Sequence, residues 1–154
     1  MQVNIDLSSY SAELRLRKQD GKRQVYDPVR KKFVAFTPEE FVRQLLIAYL
    51  LKEKNYNINR IAAEKSITYN GMPRRFDLVV FDKEMHPFLL AECKSADQPI
   101  NLAVFEQANR YNSSLKVPYL LVTNGPDIHC CRMDYEEKSY AFLEEIPDYP
   151  NGSL

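Results

Sequence analysis

The sequence predicts an α/β fold in which helices flank a small mixed β-sheet. Apolar runs of strand length alternate with turn residues, and two segments instead repeat their apolar residues at helical spacing. The predicted order is a β-hairpin, a helix, three strands, a second helix, a strand and then edge strands, which favours a helix–sheet sandwich. The chain has 154 residues, 45% hydrophobic and 27% charged, as expected for one soluble domain.

Residues 1–36 are predicted to form an N-terminal β-hairpin extension that packs on the core. The stretch ELRLRKQDGKRQVYD alternates apolar and charged residues around Asp20-Gly21, a typical hairpin turn, and VRKKFVAF adds a short extended piece. Eight basic residues lie in residues 15–32, whereas residues 134–148 carry six acids, although the net charge is zero. This basic stretch either follows a nucleic-acid backbone or is simply a solvated hairpin.

The core is predicted to span residues 37–147 and to begin with a helix. Thr37 has N-cap character, Pro38 suits the first helical position, and Thr37 and Glu40 have capping-box spacing. The helix is expected to be mostly buried and to run to about Lys54. Its apolar stripe comprises Phe41, Leu45, Ala48 and Tyr49.

Three strands, a second helix and further strands follow. The strands are RIAAEKSITYNG with a turn at Asn70-Gly71, RRFDLVVFD and HPFLLAECKS, the last two joined by a connection of hairpin length. The helix is NLAVFEQANRYNSSLK, with helical spacing of Leu102, Phe105, Ala108 (or Asn109) and Tyr111. The strand VPYLLVTNG and the edge pieces IHCCRMDY and SYAFLEE complete the sheet. Residues 148–154 are predicted to be a frayed tail.

The three cysteines predict reduced structural thiols in a cytoplasmic protein. Cys93, Cys130 and Cys131 form no C-x-x-C pair, and none has the spacing of a zinc site. The chain shows neither a secretory signal nor an apolar run long enough to cross a membrane. We therefore expect a cytoplasmic location and no membrane partner.

The stretch LAECKS, residues 90–95, ends an apolar strand with a carboxylate and an ammonium on one face. Because strand residues alternate between faces, Glu92 and Lys94 share a face and Cys93 points to the other. Asp77 lies inside the preceding apolar strand, where an acid is uncommon unless it is paired or binds a metal. An antiparallel hairpin would bring Asp77, near the start of one strand, beside Glu92, near the end of the next.

The two carboxylates predict a metal site. They would repel each other in a poorly hydrated site unless a divalent cation lies between them. Hard oxygen ligands favour Mg²⁺ or Mn²⁺, and the backbone carbonyl of Cys93 could supply a further oxygen. Asp77 and Glu92 are therefore the predicted ligands, and Lys94 is predicted to orient a water or hold a phosphate oxygen. The alternative for Glu92 and Lys94 is a plain surface ion pair.

Asp77, followed fifteen residues later by ECK, resembles the Asp…Glu-x-Lys core of the PD-(D/E)XK nuclease superfamily. The run TPEEFVRQLLI, RRFDLVVFD, FLLAECKS, FEQANRYN and PYLLVTNG is similar to the N-terminal nuclease domain of type I restriction enzyme R subunits. This resemblance covers roughly residues 37–125 and implies a restriction-endonuclease-like fold with metal-dependent cleavage of DNA. Phe76 stands where the superfamily's named motif has Pro.

The resemblance also implies further site residues. It places Glu40 in the first helix as an additional metal ligand, with Glu39 as the alternative, although Glu40 could equally serve as a helix cap. Gln107 and Tyr111 lie one turn apart on the second helix, and the resemblance gives both a catalytic supporting role on the DNA side or the metal side.

The predicted function is a Mg²⁺-dependent endonuclease of restriction–modification or DNA processing. Lys22 and Arg23 of the hairpin are predicted DNA contacts, as are Arg74 and Arg75, which otherwise form a solvated strand start. The sequence has no helicase motor and no Walker-type loop, so the expected partner is a separately encoded helicase, translocase or other restriction subunit. A homodimer is a further option. The rival function is a subunit that keeps the nuclease fold to bind DNA or protein without cutting.

Overall fold

Two β-sheets and two helices make up the computed structural model, which describes residues 2–69, 71–112 and 115–150. The N-terminal sheet contains β1 (Leu16–Gln19), β2 (Lys22–Asp27) and β3 (Lys32–Ala35). The central sheet contains β4 (Ile61–Tyr69), β5 (Met72–Phe81), β6 (Pro87–Cys93), β7 (Tyr119–Thr123), β8 (Ile128–Asp134) and β9 (Ser139–Leu143). The helices are α1 (Pro38–Lys52) and α2 (Leu102–Asn112), and short 3-10 helices occupy Leu7–Glu13 and Ile58–Arg60.

The central sheet is mixed, and its strands lie in sequence order from β4 to β9. Neighbouring strands are antiparallel except β6 and β7, which are parallel because α2 crosses between them. This arrangement confirms the predicted α/β fold with a mixed sheet flanked by helices. It also confirms the antiparallel pairing of β5 and β6, which positions the candidate site.

Each face of the central sheet carries its own apolar core. Alternation along β6 sends Leu89, Ala91 and Cys93 to the face covered by α1 and sends Leu90 to the face covered by α2. Glu92 and Lys94 continue the series of Leu90, so both side chains lie on the α2 face. The two charges at the end of β6 therefore sit outside the α1-side core.

Helix α1 begins and packs as the sequence predicts. The Thr37 hydroxyl accepts the backbone N–H of Glu40 at 3.0 Å, and Pro38 occupies the first turn. Leu46 and Leu50 are fully buried against the sheet. The helix ends at Lys52, two residues before the predicted end.

Of the residues at helical spacing in α2, Leu102 lies away from the buried face. Phe105 and Ala108 are buried, but Leu102 is 62% exposed. The buried face of α2 is centred on Val104, Phe105 and Ala108, and helical geometry turns Leu102 more than a right angle away from that face. The side chain of Tyr111 lies outside the described part of the chain.

The predicted N-terminal hairpin is confirmed, and the extended piece that follows it forms a third strand of the same sheet. The predicted turn at Asp20-Gly21 is present, with both residues at positive φ as hairpin turns require. The strand β3 then pairs antiparallel with β2. Ahead of this sheet, Leu7 is buried in the α1-side core.

The predicted frayed tail is wrong for the residues just after Pro147. The Tyr149 hydroxyl donates to the backbone carbonyl of Phe81 at 2.8 Å, and its ring packs against Phe88. Asp148 pairs with Lys54 at 2.6 Å. Residues 151–154 lie outside the described residues, as does Asn70 of the predicted Asn70-Gly71 turn.

All three cysteines are buried free thiols. Cys130 packs in the α1-side core and Cys131 in the α2-side core, since consecutive strand residues face opposite ways. Burial raises the pKa of each of these two thiols to about 12. Within the described residues, no helix is long and apolar enough to span a membrane.

Candidate active site

Asp77 and Glu92 face each other where β5 and β6 separate. The strands pair Leu78 with Ala91, and continuing this register by one residue sets Asp77 against Glu92. The ladder stops there, because the Asp77 carboxylate accepts the backbone N–H of Cys93 at 2.7 Å. This hydrogen bond fixes one carboxylate oxygen of Asp77 at the point where β5 and β6 separate.

The backbone of Cys93 turns towards the same point. Its N–H bonds Asp77 on the β5 side, whereas the N–H of Lys94 bonds the Thr123 carbonyl on the β7 side at 2.8 Å. Because the N–H and C=O of one strand residue point to the same side, the Cys93 carbonyl is directed to the Asp77 side. The Cys93 thiol is fully buried behind it, and this burial raises its pKa well above the usual value.

Glu92 and Lys94 line a small cavity beneath α2. The cavity has a volume of about 60 Å³, and its other lining residues include Gln107 and Val104. This volume accommodates a few water molecules. The structure thus brings Gln107 to the same cavity as the Glu92–Lys94 pair.

The pKa of Glu92 is raised to about 9, first by burial and then by the neighbouring Asp77 carboxylate, while Lys94 opposes the shift. Burial and the adjacent acid therefore favour the protonated form of Glu92 in the absence of a metal. A carboxyl group in this position becomes ionised readily only if a cation joins the two acids.

Glu39 and Glu40, the two candidate helix ligands, differ in their surroundings. Glu40 is 6% exposed, and its two oxygens accept hydrogen bonds from Arg30 at 2.7 Å and Gln44 at 3.1 Å. Burial and the Asp77 carboxylate raise the pKa of Glu39, which also feels the charge of Lys94. Glu40 is thus already paired, whereas Glu39 is exposed and interacts by charge with Asp77 and Lys94, so both glutamates stay predictions as the helix ligand.

Arg43 and Glu64 belong to the site although the sequence did not single them out. Arg43 is buried and places Nη1 2.7 Å from Glu64 Oε1 and Nη2 3.4 Å from Asp77 Oδ1. Glu64 lies opposite Asp77 on β4 with φ at +56°, in the left-handed region. The sequence offers one signal for each residue. Arg43 is an arginine on the buried face of α1, and Glu64 is an acid that follows two alanines and precedes a lysine.

The predicted DNA-contacting residues lie at two places. Arg75 is exposed beside the site and pairs with Glu64 at 3.2 Å, whereas Arg74 is half-buried. Lys22 and Arg23 are exposed on β2, in the N-terminal sheet and not at the carboxylates. On the same sheet, the Arg17 guanidinium stacks 3.8 Å from the ring centroid of Phe33.

The donor set fits a hydrated Mg²⁺. Among the described residues, no three side chains of His, Cys, Asp or Glu stand close enough to form a complete cage. Asp77, Glu92 and the Cys93 carbonyl offer a partial oxygen set, which suits an ion that keeps several waters.

A mixed sheet with an Asp, a Glu and a Lys at the opening of two antiparallel strands defines a protein of the restriction-endonuclease-like fold class. Residues 38–147 match the family described as type I restriction enzyme R protein N terminus (HSDR_N). The chain belongs to this family.

A solved structure shares the fold. It is a fragment described as an HsdR subunit of a type I restriction enzyme from Vibrio vulnificus YJ016, with 20% sequence identity and a TM-score of 0.53. The match covers 71% of this chain and 23% of that chain, so this chain spans less than a quarter of the longer protein. Comparison with curated proteins gives no match.

Proposed function

We propose that this protein is a Mg²⁺-dependent endonuclease that hydrolyses DNA phosphodiester bonds. The observation that carries the proposal is the Asp77–Glu92 pair, held against each other with Lys94 on the adjacent position of the same face. Membership of a restriction-enzyme family supports the choice of DNA as the substrate. Burial of Glu92 next to a second acid is costly for folding alone, which favours a functional reason for the pair.

Asp77, Glu92 and the Cys93 carbonyl would hold the metal, and Glu39 would reach it through a bound water. When bound, Mg²⁺ would lower the pKa of a coordinated water and neutralise charge on the scissile phosphate. The Cys93 N–H keeps Asp77 oriented at 2.7 Å, so the ligand need not be reorganised when the ion arrives.

Lys94 would act on the reacting groups themselves. Its ammonium lines the same cavity as Glu92, where it can orient the attacking water or hold a phosphate oxygen. Gln107 lines the opposite wall and can hydrogen-bond a water or a phosphate oxygen. We keep Tyr111 as a proposed support on the same helix.

DNA would approach along basic side chains that contact its backbone. Arg75 stands exposed beside the carboxylates, and Lys22, Arg23 and the stacked Arg17 lie exposed on the N-terminal sheet. Contacts of this kind position a duplex without reading its sequence. Membership of a family of type I restriction enzyme R proteins supports a motor or another restriction subunit as the partner that we propose.

Plasmid nicking tests the proposal. We expect supercoiled plasmid to be nicked by the wild type in Mg²⁺ but not in EDTA, and not by Asp77→Asn, Glu92→Gln or Lys94→Ala. The matched controls are Glu136→Gln and Lys83→Ala, which remove the same charges from exposed turn positions. No Mg²⁺-dependent nicking by the wild type, or equal nicking by Asp77→Asn, would overturn the proposal.

The rival function is binding of DNA without cleavage. The ion pair between Arg43 and Asp77 favours it, because a buried guanidinium already supplies Asp77 with a cation. If this function is correct, the protein retards DNA in gels equally in Mg²⁺ and in EDTA, and Asp77→Asn binds as the wild type does.

A further inference from the structure

A chain of ion pairs runs from the N-terminal sheet to the candidate metal site. It begins at Asp27, the fully buried last residue of β2, which pairs with Arg30 in the turn between β2 and β3. Arg30 then crosses to α1, where its Nη2 lies 2.7 Å from Glu40 Oε1. The N-terminal sheet is thus connected by charge to the first turn of α1.

The chain continues from α1 to the strands of the central sheet. Glu40 Oε2 lies 3.5 Å from Arg43 Nε, and the guanidinium of Arg43 divides its two terminal nitrogens between Glu64 and Asp77. The Arg43 side chain is only 4% exposed. Because each buried charge depends on its neighbours for compensation, displacement of one member shifts the next.

Arg43 is the residue through which this series of ion pairs contacts the candidate metal site. Its contact with Glu64 is short at 2.7 Å, whereas those with Asp77 and Glu40 are longer, at 3.4 and 3.5 Å. Three carboxylates therefore compete for the same guanidinium. Arg30 satisfies the other oxygen of Glu40. Removal of Arg30 is expected to strengthen the attraction of Glu40 for Arg43 and so to weaken the contact of Arg43 with Asp77.

We propose that Arg30 and Arg43 are positioning residues that determine the position of the Asp77 carboxylate. The N-terminal sheet would then contribute to the geometry of the candidate metal site. Arg43 acts by direct contact, and Arg30 acts through Glu40. The metal-related consequences rest on the proposed function, but the linkage of Arg30 to Asp77 does not. The N-terminal sheet thus has a role beyond holding DNA.

The first test compares two variants that each remove one positive charge from the N-terminal sheet. Arg30→Met interrupts the series of ion pairs, whereas Lys18→Met removes an exposed ammonium on β1 that takes no part in that series. We expect Arg30→Met to weaken Mg²⁺ binding by about 10- to 100-fold in calorimetry, as loss of a residue that orients a ligand typically does. Lys18→Met should leave Mg²⁺ affinity unchanged, and equal weakening by both variants would overturn the proposal.

Nicking kinetics separate positioning from a loss of DNA binding. Arg30→Met should lower kcat at saturating Mg²⁺ and leave the KM for plasmid unchanged, because the DNA-facing surface is intact. Arg30→Lys keeps the charge but offers fewer donors, and should recover part of the Mg²⁺ affinity. A rise in KM alone would assign Arg30 to DNA contact and overturn the positioning role.

A double-mutant cycle in EDTA tests the linkage without any metal. Arg30 acts on Asp77 through two other residues, so independent sites would give additive shifts in the urea midpoint. We expect Arg30→Met to lower the midpoint clearly less in an Asp77→Asn background than in the wild type. If Arg30→Met does not fold, the same cycle uses Arg30→Lys.

The two outcomes are distinguishable. Coupling in EDTA with no Mg²⁺ binding by the wild type would keep the linkage and reject the metal site. Mg²⁺ binding by the wild type with additive urea midpoints would keep the proposed function and reject the linkage.

Discussion

Replacing Glu92 by Gln should stabilise the metal-free protein at neutral pH. Glu92 has an ordinary pKa of 4.5 that the fold raises to about 9, because the carboxyl group is buried next to Asp77. Below pH 4.5 Glu92 is protonated in both the folded and the unfolded protein, so the raised pKa does not reduce the free energy of unfolding. As the pH rises from 4.5 towards 9, the free energy of unfolding falls progressively, because only the unfolded chain can release the proton. At pH 7 the folded protein holds a proton that the unfolded chain has released, which costs about 3 kcal/mol of stability.

Glutamine has the shape of the protonated acid and no proton to hold, so this cost disappears in Glu92→Gln. We expect urea unfolding in EDTA to show a gain of about 3 kcal/mol at pH 7 and about 1 kcal/mol or less at pH 5. Glu136→Gln, at an exposed turn position, is the control and should show no such pH dependence. An equal effect of Glu92→Gln at the two pH values, or a loss of stability at pH 7, would refute the reasoning.

Three further outcomes follow from the site and the cores. Mg²⁺ binding should release close to one proton at pH 7, and its affinity should rise about tenfold per pH unit between pH 6 and 8, measured by calorimetry in two buffers; pH-independent affinity would contradict the raised pKa of Glu92. Arg17→Gln should weaken DNA binding and lower the slope of log K against log salt by about 0.9; an unchanged slope would remove Arg17 from the interface. Leu90→Ala should cost about 2–5 kcal/mol in urea unfolding, since Leu90 is fully buried in the α2-side core; a cost below about 1 kcal/mol would contradict that packing.

The parts that the sequence predicts correctly are local in origin. Thr37 and Pro38 mark the start of α1 because capping depends on residues within one turn. The pairing of Asp77 with Glu92 follows from a hairpin whose connection is only a few residues long. Alternation along β6 then puts Glu92 and Lys94 on one face, and this placement does not depend on contacts with residues distant in the sequence.

The parts that the sequence does not predict depend on distant contacts. The surroundings of Glu40 are set by Arg30, ten residues earlier in the chain, which donates a hydrogen bond to that carboxylate. Arg43 reaches Asp77 across 34 positions of the chain, and no local pattern encodes such a pair. The Tyr149 hydroxyl likewise donates to the Phe81 carbonyl from 68 positions away, so no local pattern predicts that this part of the tail is held.

Calorimetric titration of Mg²⁺ into the wild type and Asp77→Asn tests the central claim most directly. Asparagine keeps the shape of Asp77 and can still accept the N–H of Cys93, so the variant removes charge and leaves the local hydrogen bond in place. The metal site predicts binding by the wild type that Asp77→Asn loses. Absence of binding by the wild type, or equal binding by both proteins, would contradict the assignment of Asp77 and Glu92 as metal ligands.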